Sequence, residues 1–490
     1  MKDSLTNFFQ TYKWGFPIAS AIALIFAVPP IGFWGLVFVG LIPMFLFSFF
    51  SDSHIKTALA WGLFSAIHAA YLTYSTLSEF NWIEEAVLFT MMVKSAGVAI
   101  AIGVAIFFGG VMYAFSWMRR RVAVQYSFMV LVLGFASYAL IEMFFFWLLH
   151  GFNYGALFFA AQNATYFFSL IHLGSPLFIS VAVIAVNLLL WGTLLYATHL
   201  IPKKTYTILT TILLCVLAVP LCINAPDTAV AEKSISVAII QEPERDESLT
   251  FGSTQDGMFS FPLLEAHLAD ASQSNPDFIV YPFAPWSGII SDEIDNTRFD
   301  REVITMDYEI FTQWLRVHVP SEIIFVAWYT TYRDGSYYNM IGYFRDGELL
   351  SEYAKEHLFP FFDYTPDWAL DKGIVSLPFD GTPGVNNQPF VYNGVAINGL
   401  VCSEIADDHA VAQGSATGDV IFSLGSEMMF ATQIPGEYNA LRAQQGAKKY
   451  VVPVIRANKF GPSVVYDQNG KLLGKLDFQQ TGILYVDISI

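Results

Sequence analysis

Residues 391–401 read VYNGVAINGLV, and the segment 402–404 (CSE) follows directly. The apolar run predicts buried strands that end at a thiol. Towards the N-terminus, a strand-like run at 234–241 (SISVAIIQ) precedes a stretch of helical periodicity at 257–273. Strands that alternate with helices predict an α/β domain in which helices cover a sheet. Open sheets of this class carry their sites at strand ends, so Cys402 is a candidate functional residue.

The rest of this half continues the alternation of strands and helices. A further helix is predicted at 436–447, and further strands at 277–282, 323–330, 337–346, 450–456 and 462–467. The three cysteines of the chain include only one, Cys402, in this half. A lone thiol in a domain is either a buried small hydrophobe or a nucleophile.

The first half of the chain has a different composition. Hydrophobic residues make up 54% of the 490 residues and charged residues only 14%, where an ordinary globular domain has about 25% charged. Residues 1–231 carry nine Lys/Arg and seven Asp/Glu, whereas residues 232–490 carry sixteen and thirty-five. The second half is therefore an acidic, soluble-looking domain. Its acidity argues against a nucleic-acid partner, because phosphate binding needs Lys and Arg.

The nearly uncharged half predicts a membrane domain. A helix that crosses a bilayer needs about 20 mostly apolar residues. Seven candidates occur, near residues 14–29, 32–50, 57–77, 86–117, 126–149, 175–200 and 206–223. We therefore predict a membrane domain over 1–223, a polar linker over 224–233 and an extracytoplasmic α/β domain over 234–490.

The charges between the predicted spans indicate the orientation. With seven spans, the basic residues all fall on one side of the membrane; they are Lys2, Lys13, Lys56, Arg119, Arg120, Arg121, Lys203 and Lys204. The positive-inside rule then places the N-terminus in the cytoplasm and the acidic domain outside. Two ionisable residues, Lys94 and Glu142, lie within predicted spans, where they either pair with each other or line a lipid-accessible cavity.

Two segments besides the cysteine segment carry candidate chemistry. One is 281–286 (YPFAPW), at a strand end, whose Trp286 either packs in a core or lines an acyl-chain groove. The other is 353–361 (YAKEHLFPF), in which we interpret His357 as structural. The run 407–409 (DDH) is interpreted as solvated surface rather than as a metal site. Neither a metal nor a cofactor is predicted, because no motif for one is present.

The lysine and cysteine segments resemble those of the nitrilase (carbon–nitrogen hydrolase) superfamily. Together with 26–46, Gly151-Phe152, His172–Asn187 and 440–467, they make nearly all of the chain resemble the bacterial apolipoprotein N-acyltransferase family. The resemblance implies a soluble αββα sandwich with a Glu-Lys-Cys triad. It also implies a protein of the bacterial plasma (inner) membrane.

The resemblance also implies a chemical role for each matching residue. Cys402 would be the nucleophile and would take an acyl chain from a phospholipid as a thioester. The N-terminal amine of a lipidated lipoprotein would then accept the chain. Lys355 would stabilise the oxyanion. A thiolate suits this role because it is both a good nucleophile and a good leaving group.

The sequence departs from the family at the general base. The family's Trp-Pro-Glu segment is Tyr281-Pro282-Phe283 here, so Phe283 occupies the Glu position. Glu404 or Asp363 is a possible substitute base or support, if either points at the sulfur. Three functions stay open: a membrane N-acyltransferase, a catalytically weak or inactive relative that binds lipid or lipoprotein, and a membrane-anchored amidase.

Overall fold

The structure is a computed structural model. It describes residues 11–12, 14–77, 87–122, 124–148, 156–223, 233–242, 262–283, 289–290, 305–306, 308–360, 362–372, 380–427 and 432–490. Backbone contacts divide the chain into two compact units. One unit comprises residues 1–226 and 430–434, and the other comprises 227–429 and 435–490.

The first unit is helical throughout its described part. Its α-helices are α1 (Gly15–Ala27), α2 (Ile42–Phe50), α3 (His54–Leu77), α4 (Val87–Arg121), α5 (Val124–Leu148), α6 (Leu157–Ala161), α7 (Thr165–Phe168), α8 (Leu177–Ala197) and α9 (Lys203–Ala218). Short 3-10 turns at Trp34–Phe38, Ser169–Leu173 and Val219–Cys222 complete the unit.

The second predicted span is wrong as a single helix over 32–50. The chain forms the 3-10 turn Trp34–Phe38 and then starts again as α2. Pro43 lies in the first turn of α2, a position that proline tolerates because the N–H there has no helical partner. Placed within one continuous helix, the same proline would remove a backbone hydrogen bond.

Four helical stretches in the described part are long and apolar enough to cross a membrane; they are Val98–Arg121, Ser127–Phe144, Leu177–Ala197 and Lys203–Cys222. Two further apolar helical segments, Gly15–Ala27 and Trp34–Phe50, are shorter. The number of seven spans stays a prediction.

Glu142 is buried in the first unit and has protein partners. Its Oε1 accepts a hydrogen bond from the Leu157 N–H at 2.8 Å, and its Oε2 accepts one from the Ser180 hydroxyl at 2.6 Å. These contacts join α5 to α8 and to the start of α6. The side chain of Lys94 lies outside the described residues, so its pairing with Glu142 stays a prediction.

The second unit alternates strands and helices. Its strands are β1 (Ser234–Gln241), β2 (Phe278–Tyr281), β3 (Ile289–Ile290), β4 (Thr305–Met306), β5 (Ile324–Arg333), β6 (Ser336–Arg345), β7 (Glu348–Ala354), β8 (Phe390–Tyr392), β9 (Val395–Val401), β10 (Val420–Gly425), β11 (Val454–Asn458), β12 (Ser463–Tyr466), β13 (Leu472–Leu476) and β14 (Gly482–Ser489). Its helices are α10 (Pro262–Gln273), α11 (Tyr308–His318), α12 (Asp367–Leu370), α13 (Asp408–Thr417) and α14 (Ile434–Tyr450).

The strands form two sheets. The first has the order β14-β1-β2-β5-β3-β4, and β6 and β7 extend it from β5. The second has the order β13-β12-β11-β10-β9-β8. At the centre of each sheet three strands are parallel: β1, β2 and β5 in the first, and β9, β10 and β11 in the second. Their carboxyl ends therefore meet at one edge of each sheet.

Three apolar clusters show that the layers are ordered helix, sheet, sheet, helix. Helices α10 and α11 pack on the first sheet through Leu268 and Trp314. Residues of both sheets, such as Val280 and Phe422, form a core between them. The outer face of the second sheet packs against α13 and α14. The nearly continuous apolar runs of the central strands make this arrangement possible, since each sheet buries both faces.

The predicted strand at 450–456 is wrong at its start. Helix α14 continues to Tyr450, and the strand begins only at Val454. Val451 adopts φ 55, a left-handed conformation that ends the helix. The β-branched valines made this junction look like strand in the sequence.

Candidate active site

Cys402 lies at a sharp turn at the end of β9. It is the first residue of a 3-10 turn, Cys402–Ala406, and its φ is 54. Residues other than glycine rarely adopt this left-handed conformation, and each such residue costs about 1–3 kcal/mol. This left-handed conformation turns the chain away from the sheet at the carboxyl edge. The thiol side chain is partly exposed and packs against the core between the sheets.

Lys355 follows β7 and is almost completely buried, with 1% of its surface exposed. Its Nζ lies 2.5 Å from Oδ2 of Asp363. Asp363 also accepts hydrogen bonds from the Phe359 N–H at 2.7 Å and from Nδ2 of Asn339 at 3.1 Å. The carboxylate therefore anchors the loop after the lysine and supplies the counter-charge for the ammonium.

The surroundings of Lys355 favour its charged form. Burial by itself acts to lower the pKa of Lys355. The negative charge of Asp363 acts in the opposite direction, as do those of ionised Cys402 and Glu404, and the net effect raises the pKa. Lys355 is thus a cation at neutral pH, and one of its three N–H groups is used by Asp363.

Glu404 is completely buried and connects the lysine segment to the cysteine turn. Its Oε2 accepts from the Val401 N–H at 2.7 Å. Its Oε1 accepts from the Tyr353 hydroxyl at 3.0 Å and from two backbone N–H groups, those of Glu356 at 2.9 Å and His357 at 3.0 Å. Burial raises the pKa of Glu404, although Lys355 and the backbone donors act to lower it.

The thiol of Cys402 is held in its protonated form. Burial raises its pKa to about 11, and the positive charge of Lys355 opposes this effect without cancelling it. The negative charges of Asp363 and Glu427 raise the thiol pKa further, and the positive charge of Arg456 lowers it. Nucleophilic attack by this thiol therefore needs a proton acceptor.

Phe283 follows β2 and is half-buried at the same core between the sheets as Cys402. Its ring packs edge-on against Trp328, with ring centroids 4.6 Å apart. Nζ of Lys459, a buried residue at the end of β11, lies 5.8 Å from the centre of the Phe283 ring. Phe283 thus brings an aromatic ring, which cannot accept a proton, to the core that Cys402 also contacts.

One charged pair at this edge was missed in the sequence. Glu427 and Arg456 form a buried ion pair, and Asn439 and Asn458 each donate to the same Glu427 oxygen at 2.9 Å. The available signal was a single charged residue in the mostly apolar stretch 420–430, two positions after the end of β10. It did not point to the site because nothing local shows which strand end lies beside Cys402.

The histidine and the acidic run are used structurally. Nδ1 of His357 lies 3.0 Å from Oδ2 of Asp407, and this hydrogen bond raises the pKa of His357. Asp407 caps α13 by accepting from the His409 N–H at 2.9 Å, and Asp408 pairs with Lys449. Within the described ranges no three His, Cys, Asp or Glu residues group as a metal site. Trp286 lies outside those ranges.

Comparisons with known proteins agree with this architecture. The carbon-nitrogen hydrolase family model matches residues 260–490. An apolipoprotein N-acyltransferase of Rhizobium rhizogenes is 24% identical over 269 residues, which cover 52% of this chain and 48% of that protein. One of Agrobacterium fabrum is 29% identical over 167 residues, 32% of this chain and 31% of that protein. The chain thus matches about half or less of the length of these relatives.

Among solved structures, a carbon-nitrogen hydrolase from Helicobacter pylori is 18% identical and superposes with a TM-score of 0.38, covering 52% of this chain and 89% of that one. By the family model, residues 260–490 are a carbon-nitrogen hydrolase domain, in a chain whose described part includes four helical stretches long and apolar enough to cross a membrane.

Proposed function

We propose that the protein is a membrane N-acyltransferase that works through a thioester on Cys402. The observation that supports the proposal is a strained cysteine, Cys402, whose charge interacts with a buried ammonium, that of Lys355, which is paired with Asp363. The curated relatives named apolipoprotein N-acyltransferase support the reaction class. The proposed donor is a phospholipid, and the proposed acceptor is the N-terminal amine of a lipidated lipoprotein.

The reaction divides into two acyl transfers. The sulfur of Cys402 attacks the ester carbonyl of the donor, and the proton that the thiol loses leaves with the alcohol of the lysolipid. The amine of the acceptor then attacks the thioester, and the proton that the amine loses returns to the departing thiolate as the amide forms. The N–H groups of Lys355 that Asp363 does not use are available to stabilise both oxyanions.

We also propose the location of the protein. It lies in the bacterial plasma (inner) membrane, with its N-terminus in the cytoplasm and the acidic domain on the outer, periplasmic side. The basic residues between the apolar helices support this orientation through the positive-inside rule. The proposed domain boundaries, 1–223 and 234–490, correspond to the change in charge along the chain.

The experiment that tests the proposal is mass spectrometry of the full chain. The purified protein is incubated with phosphatidylethanolamine in detergent, and the peptide that contains Cys402 is weighed. An added acyl mass on the wild-type peptide, absent from Cys402→Ala and reduced in Lys355→Met, is expected. A wild-type thiol that stays unmodified under all conditions contradicts the proposal, and hydrolysis of small amides alone supports an amidase instead.

One observation favours a second candidate, a catalytically weak or inactive relative that binds lipid or lipoprotein. It is the Phe283 ring, which packs on Trp328 where a base is expected. If Phe283→Glu creates acylation that the wild-type chain lacks, the wild-type chain is the inactive form. If the wild-type chain already forms the thioester, this candidate is excluded.

A further inference from the structure

A carboxylate that the sequence did not connect with the thiol lies at the same sheet edge. Strands β9 and β10 are parallel, and Val401 is paired with Leu424 in their register. Cys402 follows Val401 and Gly425 follows Leu424, so the register brings Cys402 and Gly425 side by side. Glu427 follows Gly425 by two residues. The sheet therefore places Glu427 at the carboxyl edge from which the thiol projects.

The hydrogen bonds of Glu427 use only one of its two oxygens. The donors that the structure shows, Nδ2 of Asn439, Nδ2 of Asn458 and the Arg456 guanidinium, all converge on Oε1. Glu427 is 2% exposed and is held in place by these bonds, and no donor in the described part of the chain occupies its Oε2.

The other two carboxylates near the thiol are fully engaged. Both oxygens of Asp363 accept hydrogen bonds, one from Asn339 and the other from Lys355 and the Phe359 N–H. Both oxygens of Glu404 accept as well, and together they hold the lysine segment against the cysteine turn. Among these three carboxylates, Glu427 is thus the one with an oxygen that accepts no hydrogen bond from the described residues.

We infer that Glu427 is the proton acceptor of Cys402, acting through Oε2 directly or through one water. This inference rests on the acyl transfer proposed above and deepens it. The negative charge of Glu427 already acts on the thiol. Because Phe283 offers no acceptor, a carboxylate at the end of β10 performs the task that the resemblance assigns to the end of β2.

The proton balance closes in both half-reactions. As Sγ bonds to the acyl carbon, its proton passes to Glu427 Oε2, and the departing alkoxide takes that proton when its C–O bond breaks. In the second half, the attacking amine gives a proton to Glu427. The thiolate leaves as the amide forms, and it recovers that proton.

The test uses an acyl donor that does not depend on the lipid assignment. The full chain in detergent is mixed with p-nitrophenyl butyrate, and the burst of p-nitrophenolate and the acyl mass on Cys402 are followed. Glu427→Gln alone leaves the buried Arg456 without its counter-charge and is unsuitable. We therefore use the double variant Glu427→Gln/Arg456→Met, with Glu437→Gln, whose carboxylate pairs with Lys475 away from the thiol, as the matched control.

Removal of a general base slows a reaction by about 10²–10⁴-fold. We expect a loss of this size in the double variant at an unchanged melting temperature, and the wild-type rate in Glu437→Gln. Adding Phe283→Glu to the double variant is expected to restore acylation, which a merely structural role of Glu427 would not allow. A folded double variant that acylates at the wild-type rate overturns the inference.

A variant that keeps the charge covers the case in which the double variant does not fold. Glu427→Asp retains the pair with Arg456 but withdraws the carboxylate by one C–C bond, and we expect at least about a tenfold slower burst. An undiminished burst in Glu427→Asp overturns the inference. If the butyrate ester acylates Cys402 but phosphatidylethanolamine does not, the proposed function fails while the role of Glu427 is still decided. A thiol that neither ester acylates overturns both.

Discussion

Replacing Asp363 by Asn tests whether the buried ammonium depends on this one counter-charge. Lys355 is 1% exposed, and its Nζ lies 2.5 Å from Oδ2 of Asp363. Removing one partner of a buried ion pair costs about 3–5 kcal/mol, because the other charge stays buried without compensation. Asparagine still offers an oxygen to the Phe359 N–H, so we expect a loss near the lower limit, about 3 kcal/mol.

Thermal unfolding in detergent measures this loss. In a domain of this size, 1 kcal/mol corresponds to about 2–4 °C, so Asp363→Asn is expected to melt about 6–12 °C below the wild type. The control is Asp477→Asn, which removes a carboxylate 3.0 Å from Lys475 that is 74% exposed. Such surface pairs contribute about 0–1 kcal/mol at most, so the control is expected to melt close to the wild type.

The pH dependence gives an independent readout. The pKa of Lys355 is raised above its ordinary value of 10.5 in the folded chain. Its contribution to stability is therefore complete below pH 10.5 and is lost as the pH rises through the folded-state pKa. Asp363→Asn removes the largest of the interactions that raise this pKa, so the loss of stability on raising the pH through this range should be smaller in the variant than in the wild type. The reasoning is refuted if Asp363→Asn melts no lower than Asp477→Asn.

Three further outcomes are expected. Glu404→Gln presents an amide N–H₂ group to donors that need an acceptor. The substitution should lower the free energy of unfolding by about 1–3 kcal/mol for each donor left unpaired, and it should slow acylation. A wild-type melting temperature would contradict the connecting role of Glu404. A second measurement follows the alkylation of Cys402 by iodoacetamide in a chain whose other two cysteines are replaced by alanine. The rate should rise about tenfold per pH unit from pH 7 to 10, because the pKa of Cys402 is about 11. A plateau near pH 8 would show that the thiol is already activated. His357→Gln should lose more stability at pH 5.5 than at pH 9. Asp407 raises the pKa of His357, so the contribution of His357 to stability disappears as the pH rises through that pKa. Equal losses at pH 5.5 and pH 9 would contradict the ion pair of His357 with Asp407.

The sequence determined those features that depend on local pattern. The apolar run at 391–401 predicted β9, and the thiol at its end followed from the order of residues alone. The change from a nearly uncharged to an acidic half predicted the helical unit and the α/β unit. Where local signals conflicted, as in the valines at 451–454, the sequence placed the boundary incorrectly.

Only the tertiary structure decided what each carboxylate does. Glu404 is two residues from Cys402, yet its hydrogen bonds run back to the cysteine turn and across to the lysine segment, whereas Asp363 pairs with Lys355. Glu427, 25 positions after the thiol in the sequence, comes to its edge because β9 and β10 lie in parallel register. Apolar periodicity reports which face of one strand is buried. Hydrogen bonds between distant segments, and the oxygens they leave available, exist only once the strands are paired and packed.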